Sequence, residues 1–100
     1  MSRRPLPHAH HAFVLLDPVQ DYEETITILG VYGSLAAAKA ALPAHRARKF
    51  RDGGIYEYDP ERVSHIEHRA GDALIDVWEY SPNPKRVTWR RLSERERSRR

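Results

Sequence analysis

With 100 residues, a net charge of +3 and 40% apolar side chains, the chain has room for one small domain and too little bulk to enclose a large cofactor beside its own core. Cysteine is absent, which excludes disulfides, thiolate nucleophiles and cysteine-ligated zinc or iron–sulfur centres. The longest apolar run, Ala12 to Leu16, falls far below the roughly 18–20 residues of a membrane span and makes no secretory signal, so a cytoplasmic protein without a membrane partner is expected.

Residues 1–11 carry Arg3, Arg4, Pro5, Pro7 and three histidines without apolar periodicity, and they read as an irregular leader. Residues 12–80 read as one α+β domain. Phe13-Val14-Leu15-Leu16, stopped by Asp17-Pro18, has the composition of a strand covered on at least one face. Thr25 to Tyr32, where Ile26 and Ile28 alternate with threonines, gives the clearest strand signal. The polar connection between these segments suits an antiparallel hairpin.

At Gly33-Ser34 the period changes. Leu35 to Leu42 is alanine-rich, and alanine is the strongest helix former. Ser34 is placed to cap the helix, and Leu35, Ala38 and Leu42 share one face. Pro43 predicts a kink or a split into two segments, with the helical stretch finished by Asp52. Gly53-Gly54 then opens a turn into a third strand over Ile55-Tyr56-Glu57-Tyr58-Asp59, stopped by Pro60. Arg62 to His68 is a weaker strand candidate and Asp72 to Tyr80 a better one, with Arg69-Ala70-Gly71 as the turn between them. Val87-Thr88-Trp89 offers an edge strand, and from Arg90 onward only Leu92 could reach a core, so that end is expected to fray. The resulting architecture is an antiparallel sheet of four or five strands with one principal helix, in the order β-β-α-β-β-β.

Charge is divided unevenly. Residues 1–84 hold nine Lys/Arg against twelve Asp/Glu, whereas residues 85–100 hold eight against two. Residues 81–100 therefore read as a basic, partly disordered tail. A cationic arm on a mildly acidic body suits nucleic acid or an acidic protein surface, and arginine's planar fork matches phosphate. The candidate contact residues are Arg46, Arg48, Lys49 and Arg51 at the helix end, with Arg86, Trp89, Arg90 and Arg91 in the arm. Trp89, set among arginines, could stack on a base. This reading requires the arginines to project freely into solvent. The bland alternatives are a solvated tail and cations drawn to the negative end of a helix.

The phrase Leu29-Gly30-Val31-Tyr32-Gly33-Ser34, followed by Ala36, Ala37 and Ala40, resembles a family of small bacterial and phage domains of unknown function whose second strand ends in a Gly-Val-Tyr/Phe-Ser phrase. Gly54-Ile55-Tyr56-Glu57-Tyr58 is similar to the family's third strand, so the resemblance covers about residues 13–59. It implies a β-β-α-β unit and supplies no catalytic residues. Pro43, and the lack of a Pro-Gly-Phe phrase at the end of the helix, depart from the pattern.

His8, His10 and His11 have a spacing at which imidazoles can bind nickel, copper or zinc, but a selective site needs fixed geometry, so the leader is read as coincidentally histidine-rich. His65 and His68 lie near Glu67, Asp72 and Asp76, but residues three apart in a strand face opposite ways, and cross-strand charge pairing is the simpler account. No phosphate loop, dinucleotide turn, metalloprotease helix or nucleophile elbow is present. The expectation is a non-enzymatic binding or regulatory module without cofactor or metal. The alternatives are a ligand-binding protein or enzyme using the sheet face near Tyr56, Tyr58, His65 and Asp76, and a homo-oligomer assembled through a sheet edge.

Overall fold

The computed structural model describes residues 10–20, 25–54, 59–82, 85 and 88–97. Strands β1 (His11–Asp17), β2 (Thr27–Tyr32), β3 (Ser64–Ala70), β4 (Ala73–Tyr80) and β5 (Trp89–Arg91) form one sheet, with helix α1 (Leu35–Arg51) after β2 and a single helical turn, α2 (Glu94–Arg97), at the end. The sheet order is β2-β1-β3-β4-β5, and every neighbouring pair is antiparallel. The fold is thus α+β in the expected order, although its strands are not all those the sequence suggests. Of the strand expected over residues 55–59, residues 55–58 lie outside the described part, and Asp59 stands in a turn where its carbonyl accepts the Arg62 amide at 3.1 Å. The fifth strand is Trp89–Arg91. Arg62 to His68, the weaker candidate, becomes the central strand β3.

The helix begins at Ser34, whose hydroxyl accepts the Ala37 amide at 3.1 Å. It ends at Asp52, with the Gly53 amide donating to Phe50 and the Gly54 amide to Lys49, the paired bonds of a glycine-terminated helix. Gly53 can take this role because its φ is 74°, a region that costs a side chain energy. Pro43 does not divide the helix, which runs unbroken through it. Its ring removes one amide, so the Lys39 carbonyl lacks its usual donor four residues on, and packing of Ala38 and Leu42 on the sheet carries the segment across the gap.

Leu15, Ala38, Leu42 and Ile66 form the buried centre, with Phe13, Leu29, Tyr32, Trp78, Tyr80 and Trp89 packed around it. All are on the side of the sheet that meets α1. Alternation puts Leu16, His65, Glu79 and Arg90 on the other side, and these four are in register across β1, β3, β4 and β5. A bulge at Leu15/Leu16 aligns Leu16 with Ile28, so Ile28 and Val31 remain exposed on that outer face although β2 carries the cleanest alternation in the sequence.

The β3–β4 turn is tighter than expected. Arg69 and Ala70 stay in β3, and Gly71, with φ 60°, makes the reversal with Asp72. Nor does the chain fray at Arg90. β5 extends to Arg91, the Leu92 amide donates to the Val77 carbonyl at 2.8 Å, and the Leu92 side chain is 3% exposed. Among the described residues no helix is long and apolar enough to cross a membrane.

Candidate functional site

The sequence-predicted cations are held in different ways. Arg46 donates from Nη1 to the Arg62 carbonyl at 2.8 Å and from Nη2 to the Pro60 carbonyl at 2.6 Å, and its guanidinium lies 5.4 Å from the centre of the Tyr80 ring. It fastens the chain before β3 onto α1. Arg48 donates to His45 Nδ1 at 3.0 Å, and His45 Nε2 is 2.9 Å from the Tyr32 hydroxyl. Because arginine can only donate, Nδ1 accepts and Nε2–H donates to Tyr32. Burial first, then the charges of Arg48 and Lys49, push the His45 pKa down and favour this neutral form. Lys49 has no carboxylate partner among the described residues, and Arg51 makes only an exposed contact with Asp52 at 3.5 Å. Arg86 lies outside the described residues.

Of the described tail arginines, Arg90, Arg91 and Arg97 do not project freely, whereas Arg95 is exposed. Arg90 pairs with Glu96 at 2.6 Å and reaches Glu79 at 3.6 Å, and Glu79 in turn meets His65 Nε2 at 3.0 Å. Arg91 pairs with Asp76 at 3.3 Å, and Arg97 donates to the Ile75 carbonyl at 2.8 Å. The Ser93 amide and the Arg90 guanidinium hold the Glu96 carboxyl down to about 2. Sequence reasoning missed this docking, and the signal was available. Ser93-Glu94-Arg95-Glu96 is a capping box, with the Ser93 hydroxyl accepting the Glu96 amide and the Glu96 carboxylate accepting the Ser93 amide.

Arg46 and Trp89, far apart in the chain, do come together. Between α1 and the β4–β5 edge runs a groove of about 330 Å³ lined by Lys39, Leu42, Pro43, Arg46, Tyr80, Thr88 and Trp89. Tyr80 and Trp89 are tilted neighbours with ring centres 5.3 Å apart. Lys39 Nζ sits 5.0 Å from the Trp78 ring centre and 6.0 Å from that of Trp89. Lys39 and Arg46 are seven residues apart, two helical turns or about 10 Å along one face. Lys39 is not among the contact residues the sequence suggests, because a lysine in an alanine helix carries no local signal, whereas Tyr80 is one of the strand aromatics whose rings offer a stacking face but more often pack on the sheet. A larger depression of about 450 Å³ beside α2 is lined by Asp76, Arg91, Glu94, Glu96 and Arg97. Its charges neutralise one another through the Arg91–Asp76 and Arg97–Glu94 pairs, leaving less net field for a ligand.

The histidines also separate. His65 faces Glu79 on the outer side, whereas His68 turns to the other face, where Phe13 stacks on it at 4.2 Å and 20°. Arg69 pairs with Glu67 at 2.9 Å. The cross-strand pairing of histidine with acid is therefore found at His65, though with Glu79 rather than with the nearer-looking carboxylates. Tyr56 and Tyr58 lie outside the described residues. Comparison with family models, with curated proteins and with solved structures finds no match.

Proposed function

We propose that this chain is a non-enzymatic binding module that contacts single-stranded nucleic acid along the groove between α1 and the β4–β5 edge. The observation that carries the reading is Lys39, which has no carboxylate partner among the described residues, standing with Arg46 beside the aromatic rings of Tyr80 and Trp89 around an open groove. Cations along a track of aromatic planes are the elements that bind such strands, phosphates meeting the charges and bases the rings. Arg48 and Lys49 extend the positive field beyond the groove. Arg90 and Arg91 are engaged with carboxylates, so in this reading the arm contributes Trp89 as a wall rather than its arginines as hands. Selectivity for base sequence is low, since phosphate contacts carry none. A cytoplasmic location and kinship with the small phage and bacterial domains belong to the same proposal.

The test is titration of a fluorescein-labelled oligothymidylate, read by anisotropy and by quenching of Trp78 and Trp89. Binding should weaken with salt, and Lys39→Glu should reduce affinity at least tenfold while leaving the melting temperature in place. Equal affinity in that variant, or no quenching at saturation, would remove the groove from the mechanism. Preference for an acidic peptide over the oligonucleotide would move the assignment to a protein partner.

A second reading rests on a separate observation. Strand β2 is a sheet edge with Ile28 and Val31 each more than half exposed, and Ile26 just before it is exposed to the same degree; unblunted edges pair with other strands. Homo-oligomerisation through β2 predicts a concentration-dependent mass by light scattering, abolished by Ile28→Lys.

A further inference from the structure

The first residue of β1 and the middle of β3 bring two imidazoles together. His11 Nδ1 lies 2.8 Å from His68 Nε2, and the ring centres are 5.1 Å apart. Both side chains are accessible from solvent, yet neither is loose. Phe13 stacks on His68, and the Gly71 amide donates to the His10 carbonyl at 3.3 Å, fixing the chain at His10–His11 against the β3–β4 turn. Asp76 faces His68 across β4 in register, and one of its oxygens accepts from Arg91. The metal-binding form of an imidazole is the neutral one, with a free lone pair on the facing nitrogen.

From this geometry we infer that His11 and His68 form a two-imidazole binding site for a zinc-like divalent transition metal, through His11 Nδ1 and His68 Nε2. Tetrahedral bonds of about 2.0–2.1 Å place two imidazole centres roughly 5 Å apart, the separation already present, so a metal needs the rings to swivel in place rather than the strands to move. In the metal-free pair one facing nitrogen carries the proton and the other accepts. On binding, the proton of the donating ring is relocated to that ring's other nitrogen, both facing lone pairs go to the metal, and no net proton is released from the neutral pair. Among the described residues no group of three histidines or carboxylates suits a metal, so water completes the shell and the affinity is modest.

The experiment titrates zinc chloride into the full chain by calorimetry, with long-range proton–nitrogen spectra of the histidines. One equivalent should bind, shifting His11 Nδ1 and His68 Nε2 to metal-bound positions. His68→Gln and, independently, His11→Gln should each weaken binding at least tenfold with the far-ultraviolet circular dichroism unchanged, whereas a His8→Gln/His10→Gln double variant should stay within about threefold of the parent. Undiminished affinity in folded His68→Gln overturns the site. So does a loss in the His8/His10 variant as large as that in His68→Gln, or no binding at millimolar zinc.

Discussion

The ion pair between Asp17 and Arg62 offers the sharpest energetic test of how the sheet is fastened. Asp17 is 1% exposed and Arg62 4%, and the guanidinium Nε lies 2.9 Å from one carboxylate oxygen and 3.1 Å from the other. Gln20 adds a bond to Asp17 and a reciprocal pair with the Val63 backbone, so the end of β1 is tied to the residues that lead into β3. Asp17→Asn preserves shape and removes the charge that the buried guanidinium faces at 2.9 Å, and losses from breaking a buried pair run to about 3–5 kcal/mol. A 100-residue domain has a total stability of about 5–15 kcal/mol, so the variant would sit near the edge of folding, with a melting temperature lower by more than about 12 °C. Arg62→Met should cost a similar amount by removing the cation from the buried carboxylate. The double variant removes both charges and should recover at least about 2 kcal/mol of the summed losses. Urea unfolding followed by tryptophan fluorescence gives the three values. Additive losses, or single losses below about 1 kcal/mol, would show that the pair is not held in a dry environment and would refute the reasoning.

Three further outcomes follow from local geometry. Pro43→Ala restores an amide for the Lys39 carbonyl and relieves the ring's clash, so urea midpoints should rise by an equivalent of about 1–3 kcal/mol; a lower midpoint would mean the helix depends on the proline. At Gly30 an added Cβ would meet the Tyr32 hydroxyl at 2.6 Å and the ring at 2.8 Å, so Gly30→Ala should displace Tyr32 from His45 and cost about 1–3 kcal/mol in denaturation. The folded-state pKa values of His45 and His68 lie below the ordinary value near 6.5. Each therefore contributes stability that is present above about pH 6.5 and lost as pH falls toward the depressed value, since the unfolded chain takes up the proton first; His45→Gln and His68→Gln should each flatten the decline between pH 7.5 and 5.

The elements that local chemistry decides were legible in the sequence, and the ones that distant packing decides were not. Ser34 and Gly53-Gly54 announce both ends of α1 because capping is a matter of a few neighbouring atoms. β3 is different. Ser64, His65, Glu67, His68 and Arg69 give it the composition of a solvent-exposed segment, yet it occupies the centre of the sheet. Its polar residues are accommodated because the histidines find partners on other elements, His65 on Glu79 and His68 on His11, while Glu67 and Arg69 pair within the strand. Conversely β2 reads as the best strand and lies at the edge, where the bulge at its own Leu29 and the placement of α1 on the other face leave Ile28 and Val31 uncovered. The groove was half visible, since Arg46 and Trp89 were both chosen for their chemistry, but nothing in the chain states that they meet.

The tail tests the limits of reading charge as availability. Its six-charge excess over residues 85–100 suggests an arm extended into water, but a carboxylate in the body neutralises an arginine as well as one beside it in sequence. Glu79 and Asp76, far along the chain, take Arg90 and Arg91. A docked tail and a solvated one differ in what Leu92 does. On an extended arm Leu92→Ala changes nothing that folding stability could register, and the effect stays within about 0.5 kcal/mol. With the side chain 3% exposed and its amide bonded to Val77, truncation removes buried methyl groups at a site near the surface that can partly collapse, and the loss should be about 2–3 kcal/mol, toward the low end for such changes. The same substitution should release the Arg90–Glu96 contact, so the Glu96 carboxyl should titrate closer to its ordinary range by carbon-detected NMR instead of near 2. Unchanged stability together with an unchanged Glu96 titration would mean that β5 and α2 do not depend on Leu92, and that the capping box alone orders the end of the chain.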